Sequence, residues 1–113
     1  MATKDEREPF YRIDIEEAKQ MLGTGEAVII DVRNPNEYQS GHVPGASLIP
    51  VNSVFQRREE LPEDKKIIFI CAVGQRSALA AEMAAAGGLP ADRLYNLEGG
   101  TDAWKKAGEP IEA

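Results

Sequence analysis

The 113-residue chain has one cysteine, Cys71, and one histidine, His42. A lone cysteine excludes an internal disulfide, and one cysteine with one histidine is too small a ligand set for a zinc site. Positive charge is also scarce. Thirteen basic residues face 19 acidic ones, a formal net charge of -6, and no basic cluster runs longer than Arg57-Arg58 or Lys65-Lys66. Nucleic acid is therefore a poor partner, and an anionic substrate has to be held by local donors rather than by the field of the whole molecule. No apolar stretch approaches the roughly 20 residues of a membrane span, and the charged N-terminus lacks the apolar core of a signal peptide. Internal repeats and low-complexity tracts are absent too. These absences predict a soluble, cytoplasmic protein of a reducing compartment, with no membrane and no nucleic-acid partner. A monomer is the default, because the composition gives no sign of an extensive exposed apolar surface.

What is present is an alternation of short apolar runs with helix signals, of a length that suits one domain. Residues 1–10 read as a flexible N-terminus, 11–110 as the domain and 111–113 as a tail. Tyr11 to Ile13 has the character of a short edge strand. Asp14 and Glu17 have the spacing of a capping box before Ile15 to Leu22, with Gly23 or Gly25 as the stop. Ala27 to Val32 is a continuous apolar run broken only by Asp31, a carboxylate that needs partners: backbone N–H groups of the next loop, or an arginine. Asn34-Pro35-Asn36-Glu37 starts a short helix that Gly41 ends. A turn at His42 to Ala46 leads to a strand at Ser47 to Ile49, and His42 is read as an anchor of that turn rather than a base for Cys71. Asn52 or Ser53 is expected to cap a helix running through Glu60. Leu94 to Leu97 is the last strand, followed by a helix from Thr101 to Ala107 with Trp104 as a core anchor and Gly108 as its end. Strands alternating with helices predict an α/β domain with a mostly parallel central sheet covered on both faces.

The organising stretch is Ile67 to Ser77 with the alanine-rich run behind it. Ile67 to Ile70 reads as a fully buried parallel strand, and Cys71 falls at its carboxyl end. A short loop containing Gly74 then enters a strong helix, so the backbone N–H groups of Ala72, Val73, Gly74, Gln75, Arg76 and Ser77 are expected to curl around the sulfur. A helix N-terminus favours an anion, and here the anion is the thiolate itself. Such surroundings lower a cysteine pKa and make a nucleophile without a neighbouring base. The alternative is a small buried hydrophobe at a strand end, the ordinary fate of a free cysteine; the strand, glycine loop and helix around it favour the reactive thiol. Arg76 adds a charge that cannot be titrated away.

Four separated motifs then resemble the rhodanese family, in the family's order: Asp31-Val32-Arg33; Glu37-Tyr38 with Gly41-His42-Val43-Pro44-Gly45-Ala46; Cys71-Ala72-Val73-Gly74-Gln75-Arg76-Ser77; and Glu98-Gly99-Gly100 with Ala103-Trp104. The resemblance covers about residues 11 to 110 and implies a rhodanese-like three-layer α/β/α domain. It implies a sulfurtransferase in which Cys71 takes the outer sulfur of a donor such as thiosulfate, becomes a persulfide, and passes the sulfur to cyanide, a thiol or an acceptor protein, with no cofactor and no metal. Ala72 to Ser77 match the substrate-binding loop. Arg76 either points to the substrate or braces the loop against Glu37 or Asp31, with bracing favoured, and the role of Arg33 is open. The loop lacks the extra basic residues of dedicated thiosulfate users, so a protein persulfide or a small persulfide stands beside thiosulfate as a donor. Related phosphatases and arsenate reductases use Cys-x5-Arg, a longer ring than the Cys-x4-Arg here, which argues against phosphate chemistry. A silent interaction module is the reading from another class, and the presence of Cys71 and Gly74 argues against it.

Overall fold

The computed structural model describes residues 2–113. Its centre is a five-stranded sheet in the order β1-β5-β4-β2-β3, every neighbouring pair parallel. The strands are β1 (Tyr11–Ile13), β2 (Ala27–Asp31), β3 (Ser47–Leu48), β4 (Lys66–Ile70) and β5 (Leu94–Leu97). The helices are α1 (Ile15–Gly23), α2 (Pro35–Ser40), α3 (Gln75–Ala86) and α4 (Gly100–Lys106). Parallel strands need crossovers, and the crossovers put helices on the two faces. On one face α3 packs its Ala80, Ala81 and Ala84, all fully buried, against Ile67 and Phe69 of β4 and Ile30 of β2. On the other, Ala18 and Met21 of α1 and Trp104 of α4 meet Ile68 and Ile70 of β4. Successive β4 residues thus alternate between two cores, which is why the strand is apolar without a break. Alanines let α3 sit close to the sheet. That closeness brings its first turn over the end of β4.

Local signals place the element starts. The Asp14 carboxylate accepts the Glu17 N–H at 2.9 Å at the start of α1. Glu37 accepts the Asn34 N–H at 3.0 Å at the start of α2, where Pro35 occupies the first turn. Trp104 is buried and donates its indole N–H to the Pro110 carbonyl at 2.8 Å.

Both ends of the described chain pack on the domain, and one expected helix needs correction. Near the N-terminus Thr3 and Arg12 exchange both backbone hydrogen bonds, and Phe10 is buried in the core. The burial of an aromatic ring outweighs the ordering entropy of the polar residues around it. The tail over 111–113 is likewise held, because Glu112 exchanges backbone hydrogen bonds with His42 and Ile111 packs on the second core. The helix expected from Asn52 or Ser53 through Glu60 is instead two short 3-10 turns, Val51–Ser53 and Arg58–Glu60. Val54 and Leu61 are buried, but residues 56–60 supply no apolar side chain between them, so no helical stripe exists to be packed. Phe55 stays exposed under the Arg58 guanidinium, 4.5 Å from its ring centroid.

Candidate active site

A parallel sheet gathers the carboxyl ends of its strands on one edge, and that edge is where α/β proteins build sites. Cys71 follows β4 directly, is 1% exposed, and lies between the sheet and the first turn of α3. Gly74 is the N-cap of α3 with φ of +102°, a conformation that side chains other than glycine rarely adopt. This turn aims two backbone donors at the sulfur: the Gly74 N–H lies 3.1 Å from Sγ and the Ser77 N–H 3.3 Å. The helix begins at Gln75, so Ser77 falls in the first turn where N–H groups lack intrahelical acceptors. Of the six loop residues expected to contribute donors, Gly74 and Ser77 bond the sulfur at these distances, and the Val73 N–H adds a smaller contribution.

Ser77 also brings its hydroxyl to 3.4 Å from Sγ, and the same hydroxyl lies 2.5 Å from Oδ1 of Asn96 on β5. The Asn96 amide is oriented by its other end, where Nδ2 donates to the Gly74 carbonyl at 3.2 Å. Oδ1 therefore faces Ser77 as an acceptor, and the one hydroxyl proton goes to the shorter contact. All three side chains are buried. Burial pushes the Cys71 thiol up, but hydrogen bonds from Ser77, Gly74 and Val73 outweigh it and hold the thiol below its ordinary value.

The arginine of the loop does different work from the charge expected at the sulfur. Arg76 forms a two-pronged pair with Glu37 of α2, Nη1 to Oε1 at 2.7 Å and Nη2 to Oε2 at 3.0 Å. The pair is about one-third exposed. The Arg76 guanidinium, together with the Asn34 N–H, holds the Glu37 carboxyl down to about 2. Arg76 thus braces α3 against α2, giving two of its N–H donors to Glu37.

Asp31 and Arg33 form a second pair beneath the site. Asp31 is fully buried and accepts Arg33 Nη2 at 2.7 Å, Arg33 Nε at 2.9 Å and the Arg33 backbone N–H at 3.0 Å. Arg33 also donates to the Gly41 carbonyl at 2.7 Å, tying the end of β2 to the end of α2. Both alternatives read for Asp31, backbone donor and arginine, are met by the same residue. His42 lies apart from the sulfur: its Nδ1 is 2.9 Å from the Tyr38 carbonyl, and its ring stacks on Tyr38 with centroids 3.7 Å apart.

Three contributions escaped the sequence reading. Asn96 stands in what reads as a plain strand, although a buried amide between Tyr95 and Leu97 is itself a signal that a partner exists. The other two are backbone groups: the Thr101 and Asp102 N–H groups of α4 donate to the Cys71 and Ala72 carbonyls at 2.8 and 3.1 Å. Among the described residues no group of three or more His, Cys, Asp or Glu side chains is arranged to hold a metal. No helix among them is long and apolar enough to cross a membrane.

Comparison with known proteins places this geometry in context. A family profile described as "Rhodanese-like domain" matches residues 14–107. The chain is 33% identical over 98 residues to the thiosulfate sulfurtransferase GlpE of Pseudoalteromonas translucida, covering 87% of this chain and 91% of that protein. It is 39% identical over 82 residues to the uncharacterized protein YqhL of Bacillus subtilis, covering 73% of this chain but only 64% of that longer protein. The crystal structure of a rhodanese-related protein from Thermoplasma volcanium superposes with a TM-score of 0.77 at 30% identity, covering 89% of this chain and 96% of that one.

Proposed function

The chain belongs to the rhodanese-like domain family, and on that premise we propose that it is a sulfurtransferase carrying a sulfane sulfur on Cys71 as a persulfide. The observation that carries the reading is the Cys71 sulfur at the start of α3, within hydrogen-bond reach of the Gly74 and Ser77 N–H groups. Those donors favour a thiolate, so no neighbouring base is needed to make the nucleophile. The thiolate attacks the outer sulfur of a donor such as thiosulfate. A new S–S bond forms, the donor's S–S bond breaks, and its electron pair leaves with sulfite. Cyanide or a thiolate then attacks the outer sulfur, and Cys71 departs as the thiolate that the same N–H groups stabilise. Neither step needs a cofactor or a metal.

The relatives named as sulfurtransferases support this class of activity. The pairing of Arg76 with Glu37 supports transfer of sulfur over transfer of phosphate, because the one guanidinium of the loop is turned toward a carboxylate of α2. In this reading the partners are a small-molecule donor and a thiol or cyanide acceptor, with an acceptor protein as a further destination, and the working unit is a monomer.

The test is the intact mass of the protein after incubation with thiosulfate or with an alkyl persulfide, followed by cyanide. We expect a gain of one sulfur atom on Cys71, reversed by cyanide and absent in Cys71→Ser. No gain with any donor, or an equal gain in Cys71→Ser, overturns the proposal.

A further inference from the structure

Asn96 is out of character for its place. It stands in β5 between Tyr95 and Leu97, where an amide has low strand preference, and it is fully buried. A buried amide is costly unless its donor and its acceptor are both engaged. In the parallel register Asn96 lies opposite Phe69 of β4, two residues before Cys71. Alternation along β4 puts Phe69 and Cys71 on the face that α3 covers, and Asn96 reaches the first turn of α3 from the same side.

Both ends of that amide engage one turn. Oδ1 accepts the Ser77 hydroxyl at 2.5 Å, and Nδ2 donates to the Gly74 carbonyl at 3.2 Å. Gly74 and Ser77 are the residues whose backbone N–H groups stand 3.1 and 3.3 Å from Sγ. Asn96 has no hydrogen bond to the sulfur, yet it grips the first and last residues of the turn that does. Gly74 needs the hold, because a glycine at φ of +102° has the widest conformational freedom of any residue. The grip is also neutral, whereas a carboxylate in its place would set a like charge beside a thiolate. The charged side chains of the surrounding elements are Asp31 and Arg33 at the end of β2, Glu37 of α2, Arg76 of α3, Glu98 after β5 and the exposed Asp102 of α4. Arg33 pairs with Asp31, Arg76 with Glu37 and Arg12 with Glu98. Among the described residues, none of these charges hydrogen-bonds the sulfur.

We propose that Asn96 is the positioning residue of the cradle, a clamp from β5 that holds Gly74 and Ser77 so that their N–H groups stay aimed at Cys71. The inference rests on the reading of Cys71 as the reacting atom of a sulfurtransferase. Without the amide the Gly74 carbonyl and the Ser77 hydroxyl lose their partner, the turn relaxes, and the N–H groups draw away from Sγ. The thiolate then loses stabilisation, and Cys71 holds its proton to higher pH.

The experiment is a pH titration of the thiolate by its ultraviolet absorbance. With one cysteine in the chain the signal belongs to Cys71, and Cys71→Ser supplies the blank. Three variants are compared with the wild type. Asn96→Ala removes both contacts and should raise the titration midpoint by about one pH unit, about tenfold less thiolate at pH values below it. Asn96→Thr suits a strand and is close in size, but one hydroxyl cannot stand in the places of both Oδ1 and Nδ2, so it should give a smaller rise. Leu94 is fully buried at the other end of β5. Leu94→Ala therefore takes volume from the core of the same strand without touching the turn, and its midpoint should match the wild type. Loading with thiosulfate at a pH below the midpoints should slow in the same order. An unmoved midpoint in Asn96→Ala overturns the proposal, and so does a lowered one, which would mean that the freed Ser77 hydroxyl serves the sulfur better than the clamp does. Where Asn96→Ala does not fold, Asn96→Thr is judged by the same outcomes. An equal rise in Leu94→Ala also overturns it, since the effect would then be general loosening. If the wild type takes up no sulfur while the Asn96 variants still shift the midpoint, the sulfurtransferase reading falls and the clamp stands.

Discussion

Helices α3 and α4 begin in the same way and are put to different use. Each has a glycine N-cap in the left-handed region, Gly74 at φ +102° and Gly99 at φ +78°, and neither has a side-chain cap. Each therefore presents bare first-turn N–H groups at the carboxyl edge of the sheet. Those of α3 meet the Cys71 sulfur. Those of α4 meet the Cys71 and Ala72 carbonyls and hold the loop that carries the sulfur. One helix start favours negative charge on the sulfur; the other fixes the backbone whose position lets it do so.

The sharpest way to separate the two roles is one substitution made at each turn. Gly100, with φ of +57°, stands so close to the loop that an added Cβ would lie 2.1 Å from the Cys71 carbonyl oxygen. Gly100→Ala should force the backbones apart, remove the α4 donors from the loop, and cost on the order of 4 kcal/mol, the range of severe core disruption. Gly74 has room, since the nearest atom to an added Cβ is 3.6 Å away. Gly74→Ala therefore meets only backbone strain, about 1 to 2 kcal/mol. Its effect should be clearer in a thiol titration, where loss of the aligned N–H raises the Cys71 pKa toward its ordinary value. Denaturant unfolding of both variants measures the contrast. Equal destabilisation by the two would erase the distinction between a crowded support and an open cradle.

The smallest effect concerns the brace on α3. Glu37 is held at about 2 by Arg76 and the Asn34 N–H, whereas an unfolded glutamate titrates near 4.3. A depressed carboxyl pKa stabilises the fold above the unfolded value, and this stability is lost as pH falls from about 4.3 toward 2. Both side chains are about one-third exposed, so after solvent screening the pair contributes no more than about 1 kcal/mol. Wild type and Arg76→Gln should therefore differ by that amount at pH 6 and converge as the pH is lowered through this window. A gap that persists at pH 2 would mean that the brace is steric packing rather than charge.

The architecture was legible because buried parallel strands leave an unmistakable trace. Ala27 to Ile30 and Ile67 to Ile70 are apolar at successive positions, as a strand with a core on each face requires. The cradle was legible for a similar reason: a strand, a cysteine, a permissive glycine and a helix former follow one another within a dozen residues, so its geometry is local. Arg76 could be narrowed to a brace but not assigned between Glu37 and Asp31, because the choice depends on how α2 lies beside α3. Asn96 and the α4 donors were hidden by distance along the chain. Asn96 meets Ser77 nineteen positions earlier, and a backbone N–H has the same composition wherever it points. The 51–61 segment was misread because capping residues and scattered apolar ones resemble a helix start even when no stripe follows.

The solitude of Cys71 has a consequence for timing. Many reactive cysteines are discharged by a neighbour, a second thiol that attacks and closes a disulfide. This chain holds no second thiol, and Cys71 is 1% exposed. A sulfur loaded there has no exit within the molecule, so under the proposed chemistry its dwell time is set by the arrival of an acceptor from outside. Cargo then waits for demand, and throughput follows acceptor concentration rather than any internal clock.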